Sequence, residues 1–154
     1  MMRSKADWIE MEKQYYMFTV RRQPVVIARG EGTRAWDTDG KEYLDFCAGW
    51  AVNNLGHCHP AITQAIVDQA GTLLQTSNQF YTTPQLLLAQ LLVENSCLDK
   101  VFFGNSGVEA VEGVTKLARK HGRKNRDGAQ EVITAFNSFH GRTIGMIAAT
   151  GQPH

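Results

Sequence analysis

A run of small residues at 104–107 separates a short apolar segment from a stretch in which apolar residues recur at helical spacing. Ser106 followed three residues later by Glu109 is the capping-box pattern that marks the start of a helix. Free backbone N–H groups at such a start attract anions, and Gly107 has no side chain to keep an anion away. The turn could therefore bind a phosphate, although most capped helices bind nothing and the pattern alone favours a cap without a ligand.

Histidine and cysteine give a weaker signal for chemistry. His57, Cys58 and His59 are consecutive, so they cannot all point at one ion, and no second ligand cluster completes a tetrahedral zinc site. We therefore expect no metal. The three cysteines, at positions 47, 58 and 97, are odd in number and far apart, which favours buried free thiols over disulfides.

The elements around the turn are predicted from a change in hydrophobic period. Residues 101–103 are an apolar run suited to a buried strand. From Val108 onward the apolar spacing is typical of a helix with one buried face, and Gly122 stands where a left-handed C-terminal cap would end that helix. The sequence therefore predicts a strand, a tight turn and a helix.

A second strand and loop are predicted after this helix. Residues 131–136 are apolar on both faces and rich in β-branched side chains, as in a parallel sheet that is covered on both sides. Strand, helix and strand form a βαβ unit, which is followed by the loop at 137–143. Ligands of open α/β sheets bind outside the carboxyl ends of the strands, so we expect the 104–107 turn and this loop to face one crevice.

The first half of the chain is predicted to contain short strands and helices. Asp39-Gly40 between two strand-like runs is a strong hairpin signal, and Pro60 is suited to the first position of a helix with an apolar stripe. Residues 47–59 lack a clean period and predict an irregular, ordered loop. The expected elements are helices at 5–17, 60–74 and 83–94 and strands at 24–28, 33–37 and 42–46.

Composition limits the classes of function. The chain has 154 residues, 43% of them hydrophobic and 20% charged, which is typical of a globular domain with a core of useful size. A formal net charge of +1 gives no basic surface for nucleic acid. No apolar run is long enough to cross a membrane, and the N-terminus lacks the pattern of a signal peptide. We expect a cytoplasmic protein that binds neither nucleic acid nor membranes.

Motifs along nearly the whole chain resemble the class III pyridoxal-phosphate-dependent aminotransferases, and they occur in the order of that family. They are GEGTRAWDTDGKEYLDF, AVNNLGHCHPAI, SNQFYTTPQ, VFFGNSGVEAVE, KLARKHG and SFHGRTIGMIAATGQP. The resemblance implies an α/β fold of the aspartate-aminotransferase-like type, fold type I. It places residues 1–74 in the N-terminal segment of the small domain and residues 75–154 at the beginning of the large cofactor domain.

The resemblance also implies residues that bind the cofactor, pyridoxal 5'-phosphate. Ser106, Gly107 and Val108 match the turn that holds its phosphate. Val108 has no hydroxyl, whereas this position is often threonine in the family, so only a backbone N–H remains there for the phosphate. Phe139 matches the aromatic residue that stacks on the cofactor ring, and the adjacent His140 is assigned to the same site.

Substrate binding is implied at further positions. Arg142 matches the arginine that pairs with the α-carboxylate of the substrate, and the planar fork of its guanidinium suits that task. Val52 belongs to a stretch, residues 51–54, that matches the wall of the substrate pocket, and Tyr81 matches a nearby pocket residue. Trp50 is larger than the residue expected beside this wall and would narrow the pocket or alter which amino donor fits.

The implied activity is transfer of an amino group from N-acetylornithine to 2-oxoglutarate in arginine biosynthesis, with pyridoxal phosphate as the electron sink. The alternative within the class is another donor, namely ornithine, 4-aminobutyrate or N-succinylornithine. A non-catalytic phosphate- or nucleotide-binding fragment is less favoured, because neither G-x-G-x-x-G nor G-x-x-x-x-G-K-[ST] occurs. We expect residues 47–59 to contribute to a homodimer interface.

The lysine that such enzymes need for the Schiff base is not expected among these residues. The lysines of the chain lie in predicted helices, a hairpin and a strand start, and none matches the family's Schiff-base position, which the resemblance places beyond His154. We therefore expect this sequence to be the N-terminal portion of a longer enzyme and to be inactive alone.

Overall fold

The structure is a computed structural model that describes residues 3–152, and the chain divides into two compact units, Met1–Thr76 and Ser77–His154. The first contains α1 (Lys5–Tyr15), β1 (Ile27–Glu31), β2 (Arg34–Asp37), β3 (Glu42–Leu44), α2 (Ala48–Ala51) and α3 (Pro60–Thr72). The second contains α4 (Thr83–Glu94), α5 (Gly107–Asn125) and α6 (Ile144–Ile147). The assignment of residues 1–74 and 75–154 to two family domains stays a prediction.

The strands of the first unit form an antiparallel sheet in the order β1-β2-β3. The predicted Asp39-Gly40 hairpin joins β2 to β3, and Gly40 has a φ of 82°, which glycine adopts without strain. β1 covers residues 27–31 instead of the predicted 24–28, because Gly30 and Glu31 pair with β2 and the turn lies after them.

A buried carboxylate organises the turn between β2 and β3. Asp37, only 6% exposed, accepts the backbone N–H groups of Asp39 at 3.0 Å and Lys41 at 2.9 Å. The hydroxyl of Tyr43 donates to the same carboxylate at 2.8 Å. This hydroxyl, followed by the two backbone N–H groups, lowers the pKa of Asp37, and the same hydrogen bond raises the pKa of Tyr43.

A second carboxylate, Asp45, fixes the start of residues 47–59, which the sequence predicts to be irregular but which begin with the short helix α2. It accepts the backbone N–H groups of Cys47 and Ala48, both at 2.9 Å, and lies 2.8 Å from Nε2 of His57. The Ala48 N–H, then His57 and the Cys47 N–H, lower the pKa of Asp45. The His57 ring packs on Gly30, where a Cβ would lie 2.5 Å from its Cγ. The ordered loop expected here is therefore tied to the sheet.

Helices of the first unit begin as predicted but end earlier. α1 ends at Tyr15 and not at residue 17, since the next residue has extended backbone angles. α3 begins at Pro60 and ends at Thr72, two residues before the predicted end, because Leu73 is extended with φ −165° and ψ 122°. The apolar stripe of α3 is not buried, and Ile66 is 63% exposed.

α5 confirms the predicted helix start but not its end. Ser106 is the N-cap, and its hydroxyl accepts the backbone N–H of Glu109 at 3.3 Å. The helix passes Gly122 and ends at Asn125, so the predicted cap at Gly122 is wrong. A Cβ at Gly122 would lie 2.0 Å from the carbonyl oxygen of Ala129. This glycine therefore serves close packing against the chain that follows the helix.

The two strands predicted in the second unit are absent from its described part, residues 77–152. Residues 101–103 and 131–136 form no ladder, and the predicted βαβ unit is not formed. Ile133 and Phe136 are 97% and 96% exposed, which contradicts the expected cover on both faces. A strand requires a neighbour for its backbone N–H and C=O groups, and residues 77–152 provide none for these runs.

The core is smaller than the composition predicted. Within residues 3–152, Ala35 and Met146 are the only buried hydrophobic residues. The cysteines are exposed free thiols and not the buried ones expected. The apolar face of a helix is buried only when a second layer of secondary structure packs on it. The described part of each unit contains little such packing. No helix in the same range is both long and apolar enough to cross a membrane.

Candidate functional site

The start of α5 presents unpaired backbone donors. The N–H of Glu109 bonds to the Ser106 hydroxyl, and the N–H of Ala110 bonds to the Ser106 carbonyl at 3.1 Å. The N–H groups of Gly107 and Val108 have no protein acceptor within residues 3–152. Two donors at the positive end of a helix dipole can therefore bind an anion.

The space beside Gly107 is open. A Cβ added there would meet no atom within 4 Å, whereas a Cβ at Gly104 would lie 3.2 Å from Cβ of Glu109. A side chain at position 104 would therefore be crowded by α5, whereas one at position 107 would not. Its missing side chain leaves room that an oxyanion next to the free N–H groups could fill.

The loop at 137–143 is fixed by hydrogen bonds to the residues that follow α6. The N–H of Asn137 donates to the Gly151 carbonyl at 2.8 Å. The Thr150 hydroxyl accepts the N–H of His140 at 3.1 Å and lies 3.1 Å from the Gly141 carbonyl. The backbone next to the predicted site residues is therefore ordered by contacts that the sequence analysis did not anticipate.

The turn and the loop touch at Val108 and Gly141. Gly141 is buried, has a φ of 112°, and leaves only 2.3 Å between an added Cβ and Cγ2 of Val108. Val108 therefore packs against the loop, in addition to providing a backbone N–H. In the sequence, position 108 is notable only for its missing hydroxyl, and no local pattern indicates this contact.

Turn and loop together line a cavity of about 420 Å³. Its lining consists of Gly107, Val108, Val111, Phe139, His140, Gly141 and Arg142. The guanidinium carbon of Arg142 lies 5.1 Å from the centroid of the Phe139 ring, a cation–π contact. No ion pair of Arg142 occurs within residues 3–152. The cavity thus combines backbone N–H groups that can bind an anion, an aromatic face and the Arg142 guanidinium, which has no ion-pair partner in this range.

A further contact, also missed, joins α5 to the end of the loop. The hydroxyl of Thr143 donates to Oε1 of Glu112 at 2.6 Å and accepts the backbone N–H of Met146 at 3.2 Å. Thr143 is thereby the N-cap of α6. A threonine just before an apolar run is a recognisable cap signal, but nothing in the sequence indicates that its second partner is Glu112.

Other predicted site residues are not among those that line this cavity. Tyr81 is 95% exposed and lines a different cavity of the second unit, together with Phe80 and Phe102. Val52 and Trp50 belong to the first unit and are 82% and 98% exposed. The part of the chain that the structure describes contains no group of three His, Cys, Asp or Glu side chains that could hold a metal ion.

Comparison with known proteins identifies the family. Residues 15–154 match the family model described as aminotransferase class-III. The chain belongs to the class-III aminotransferase family. The chain is 52% identical over 152 residues to a relative, the acetylornithine aminotransferase of Methanocaldococcus jannaschii. The match covers 97% of this chain but only 38% of the relative.

Solved structures confirm the predicted fold class. The class-III chain superposes on the ornithine aminotransferase of Toxoplasma gondii with a TM-score of 0.93 and 32% identity, covering 98% of this chain and 36% of the other. A second structure of that enzyme, described as having partial occupancy of PLP at its active site, gives a TM-score of 0.88 and 34% identity over 92% of this chain and 34% of the other. The chain path is thus that of the aspartate-aminotransferase-like fold, although two of its predicted strands are unpaired.

Proposed function

We propose that the protein that carries this chain transfers an amino group from N-acetylornithine to 2-oxoglutarate, with pyridoxal phosphate as its cofactor. The observation that supports this most is the cavity where free N–H groups, an aromatic ring and an unpaired arginine meet. The 52% identity to an acetylornithine aminotransferase supports the choice of donor. When bound, pyridoxal phosphate supplies an electron sink for the charge that develops on the substrate.

The phosphate is assigned to the backbone at the start of α5. The N–H groups of Gly107 and Val108 donate to it, while the Ser106 hydroxyl is engaged by Glu109. The open space at Gly107 gives the phosphate its approach, so the residues present fit the group. A cavity of about 420 Å³ is within the range of ordinary cofactor pockets.

The planar ring of the cofactor is assigned to Phe139 and the substrate carboxylate to Arg142. The Phe139 ring is 53% exposed, so it offers a face for stacking. Among the described residues 3–152, Arg142 pairs with no carboxylate, and its guanidinium can form a bidentate pair with the α-carboxylate of an amino acid. His140 lines the same cavity, with its backbone held by Thr150.

Ornithine is the second candidate donor. It is favoured by the TM-score of 0.93 to an ornithine aminotransferase over 98% of this chain. For either donor we further propose that Val52 and Tyr81 belong to the substrate pocket, that residues 47–59 form part of a homodimer interface, and that the protein acts in the cytoplasm.

The phosphate assignment is tested with Gly107→Val in the protein that carries this chain. The added side chain occupies the open space and blocks the two donors, so we expect pyridoxal phosphate to bind about tenfold more weakly or worse, the equivalent of one lost charge-assisted hydrogen bond. Absorbance titration with the cofactor measures its Kd. Gly71→Val is the matched control, because Gly71 is a helical glycine in α3 that also has no atom within 4 Å of an added Cβ.

Equal affinity in the wild type and Gly107→Val would remove the turn from the cofactor site. The donor is decided by glutamate formation from 2-oxoglutarate with N-acetylornithine or with ornithine. A wild-type protein that binds pyridoxal phosphate but uses neither donor would contradict the proposed substrates and not the cofactor.

A further inference from the structure

Glu112 is a half-buried carboxylate for which the proposed reaction has no use. It lies on the second turn of α5, where it follows the anion-binding start of the helix. Its Oε1 accepts the Thr143 hydroxyl at 2.6 Å across 31 positions of sequence. A short hydrogen bond to an ionised carboxylate is about twice as strong as one between neutral groups. This contact therefore ties α5 to the loop that carries the arginine.

The Thr143 hydroxyl both donates and accepts a hydrogen bond here. The oxygen accepts the N–H of Met146 at the start of α6 and donates its proton to Glu112. Met146 is 4% exposed, and its sulfur lies 4.0 Å from the hydroxyl of Thr115, one turn beyond Glu112 on α5. The end of the loop is thus anchored to α5 at two successive turns.

Gly145 makes room for the carboxylate. A Cβ at this position would lie 2.9 Å from Oε1 and 3.4 Å from Oε2 of Glu112. The side chain of Glu112 is consequently enclosed by Thr143 on one side and the α6 backbone on another. Such a fit orients the carboxylate and limits its freedom to move.

Arg142 directly precedes Thr143, and within the described residues its guanidinium contacts the Phe139 ring and no carboxylate. Glu112 is engaged by the Thr143 hydroxyl, so it holds the neighbouring backbone without neutralising the arginine. A direct Glu112–Arg142 ion pair would compete with the substrate carboxylate. The observed arrangement keeps the cation free and fixes the position from which it extends.

From this geometry we propose that Glu112 is a positioning residue for substrate recognition. Through Thr143 it fixes the backbone of Arg142, so that the guanidinium meets the α-carboxylate of the amino donor in the cavity. The inference rests on the proposed function, because it takes Arg142 as the carboxylate-binding group. It concerns substrate affinity and leaves cofactor binding to the start of α5.

The test compares two donors that differ only in the α-carboxylate, N-acetylornithine and N-acetyl-1,4-diaminobutane. In the protein that carries this chain, Glu112→Ala should raise KM for N-acetylornithine about tenfold, since a misplacement of about 1 Å can cost up to about 100-fold. KM for the donor without the carboxylate and the Kd for pyridoxal phosphate should change less than about twofold. A merely structural role would change all three.

Further variants separate the contact from general stability. Thr143→Val should reproduce the effect of Glu112→Ala, Thr143→Ser should restore wild-type KM, and the double variant Glu112→Ala/Thr143→Val should be no worse than either single one. Glu94→Ala is the matched control, because Glu94 also accepts a side-chain donor, Gln90 at 2.7 Å, but on the exposed α4. Calorimetric titration with 2-oxoglutarate gives a readout that does not depend on turnover.

Each outcome is decisive. If Arg142→Lys raises KM for N-acetylornithine selectively but Glu112→Ala does not, the positioning role is overturned while the proposed function stands. Equal loss for both donors, additive single effects, or failure of Thr143→Ser to rescue would also overturn it. If the wild type neither binds pyridoxal phosphate nor transfers an amino group, the proposed function fails and the inference fails with it.

Discussion

The sheet of the first unit is much less apolar than the runs at 101–103 and 131–136 of the second, yet only the sheet forms strands. β1, β2 and β3 are separated only by short turns, so each strand has a partner close by in the sequence. The runs at 101–103 and 131–136 are separated by α5 and form no strand. The comparison teaches that β-branched and apolar composition yields a strand only where a neighbouring strand is available.

The hydrogen bonds of the carboxylates also differ between the two units, in the sequence separation of the groups that they join. In the first unit, Asp37 and Asp45 are bonded to groups at most 12 positions away. In the second unit, the decisive contact between Glu112 and Thr143 spans 31 positions. Local carboxylates shape turns, whereas the distant one assembles a candidate site. This difference can be tested with substitutions that remove either a local contact of the first unit or a long-range contact of the second.

The largest effect is expected at the packing between α5 and the chain after it. Gly122→Ala places a Cβ 2.0 Å from the backbone oxygen of Ala129, and backbone cannot yield as a flexible side chain does. We expect the free energy of unfolding to fall by about 2–3 kcal/mol, as for other overpacked sites. Urea denaturation followed by circular dichroism measures it.

The matched control lies in the first unit. Gly71→Ala adds a methyl group to a helical glycine in open space and should stabilise the protein by about 0.5–1 kcal/mol through the lower backbone entropy of alanine. Similar responses at both positions would show that helical propensity, and not packing, determines the role of Gly122.

A second, smaller effect is expected on the stability of the first unit at low pH. The pKa of Asp37 is lowered by Tyr43 and two backbone N–H groups, and that of Asp45 by the Ala48 N–H, His57 and the Cys47 N–H. A carboxyl with a lowered folded-state pKa stabilises the fold above its unfolded pKa of about 3.9, and this contribution is lost as the pH falls through the folded value. We expect the first unit to loosen below about pH 4.

Within this chain, tryptophan fluorescence reports on the first unit, since Trp8, Trp36 and Trp50 all belong to it. Asp37→Asn should weaken the pH dependence of the free energy of unfolding, because the asparagine cannot ionise. An unchanged acid profile in both Asp37→Asn and Asp45→Asn would assign the transition to other groups.

Sequence reasoning was most successful where the information is local. The Asp39-Gly40 turn, Pro60 at a helix start and Ser106 at a helix cap are each determined by a few adjacent residues. It failed at residues 101–103 and 131–136, whose pairing depends on strands far from them in the sequence.

The same distinction applies to the candidate site. The motif resemblance led to Gly107, Phe139, His140 and Arg142, which line one cavity. It did not lead to the Glu112–Thr143 bond, because a contact over 31 positions leaves no periodic signal. Gly122 was misread for a related reason, since a glycine near a helix end can serve either a cap or close packing.

The smallest effect is expected in the unpaired runs. Ile133 is 97% exposed, so Ile133→Ser should change the free energy of unfolding by less than about 0.5 kcal/mol. Ile27→Ser in β1, where Ile27 is opposite Asp37, should cost about 1 kcal/mol. Thermal unfolding of both variants measures the difference. A larger loss at Ile133 than at Ile27 would show that the 131–136 run is covered in solution.

The contact between Val108 and Gly141 has a consequence for how the sequence can change through evolution. With 2.3 Å between an added Cβ and the valine methyl, neither position can gain bulk unless the other loses it, and Gly141 has nothing to lose. We therefore expect natural variation to be concentrated at position 108, among side chains no larger than valine, while position 141 remains glycine. In the proposed function, the volume at position 108 would influence the spacing between the proposed phosphate site at the start of α5 and Arg142. A change in that one side chain would then alter which donors fit between the two proposed anion sites.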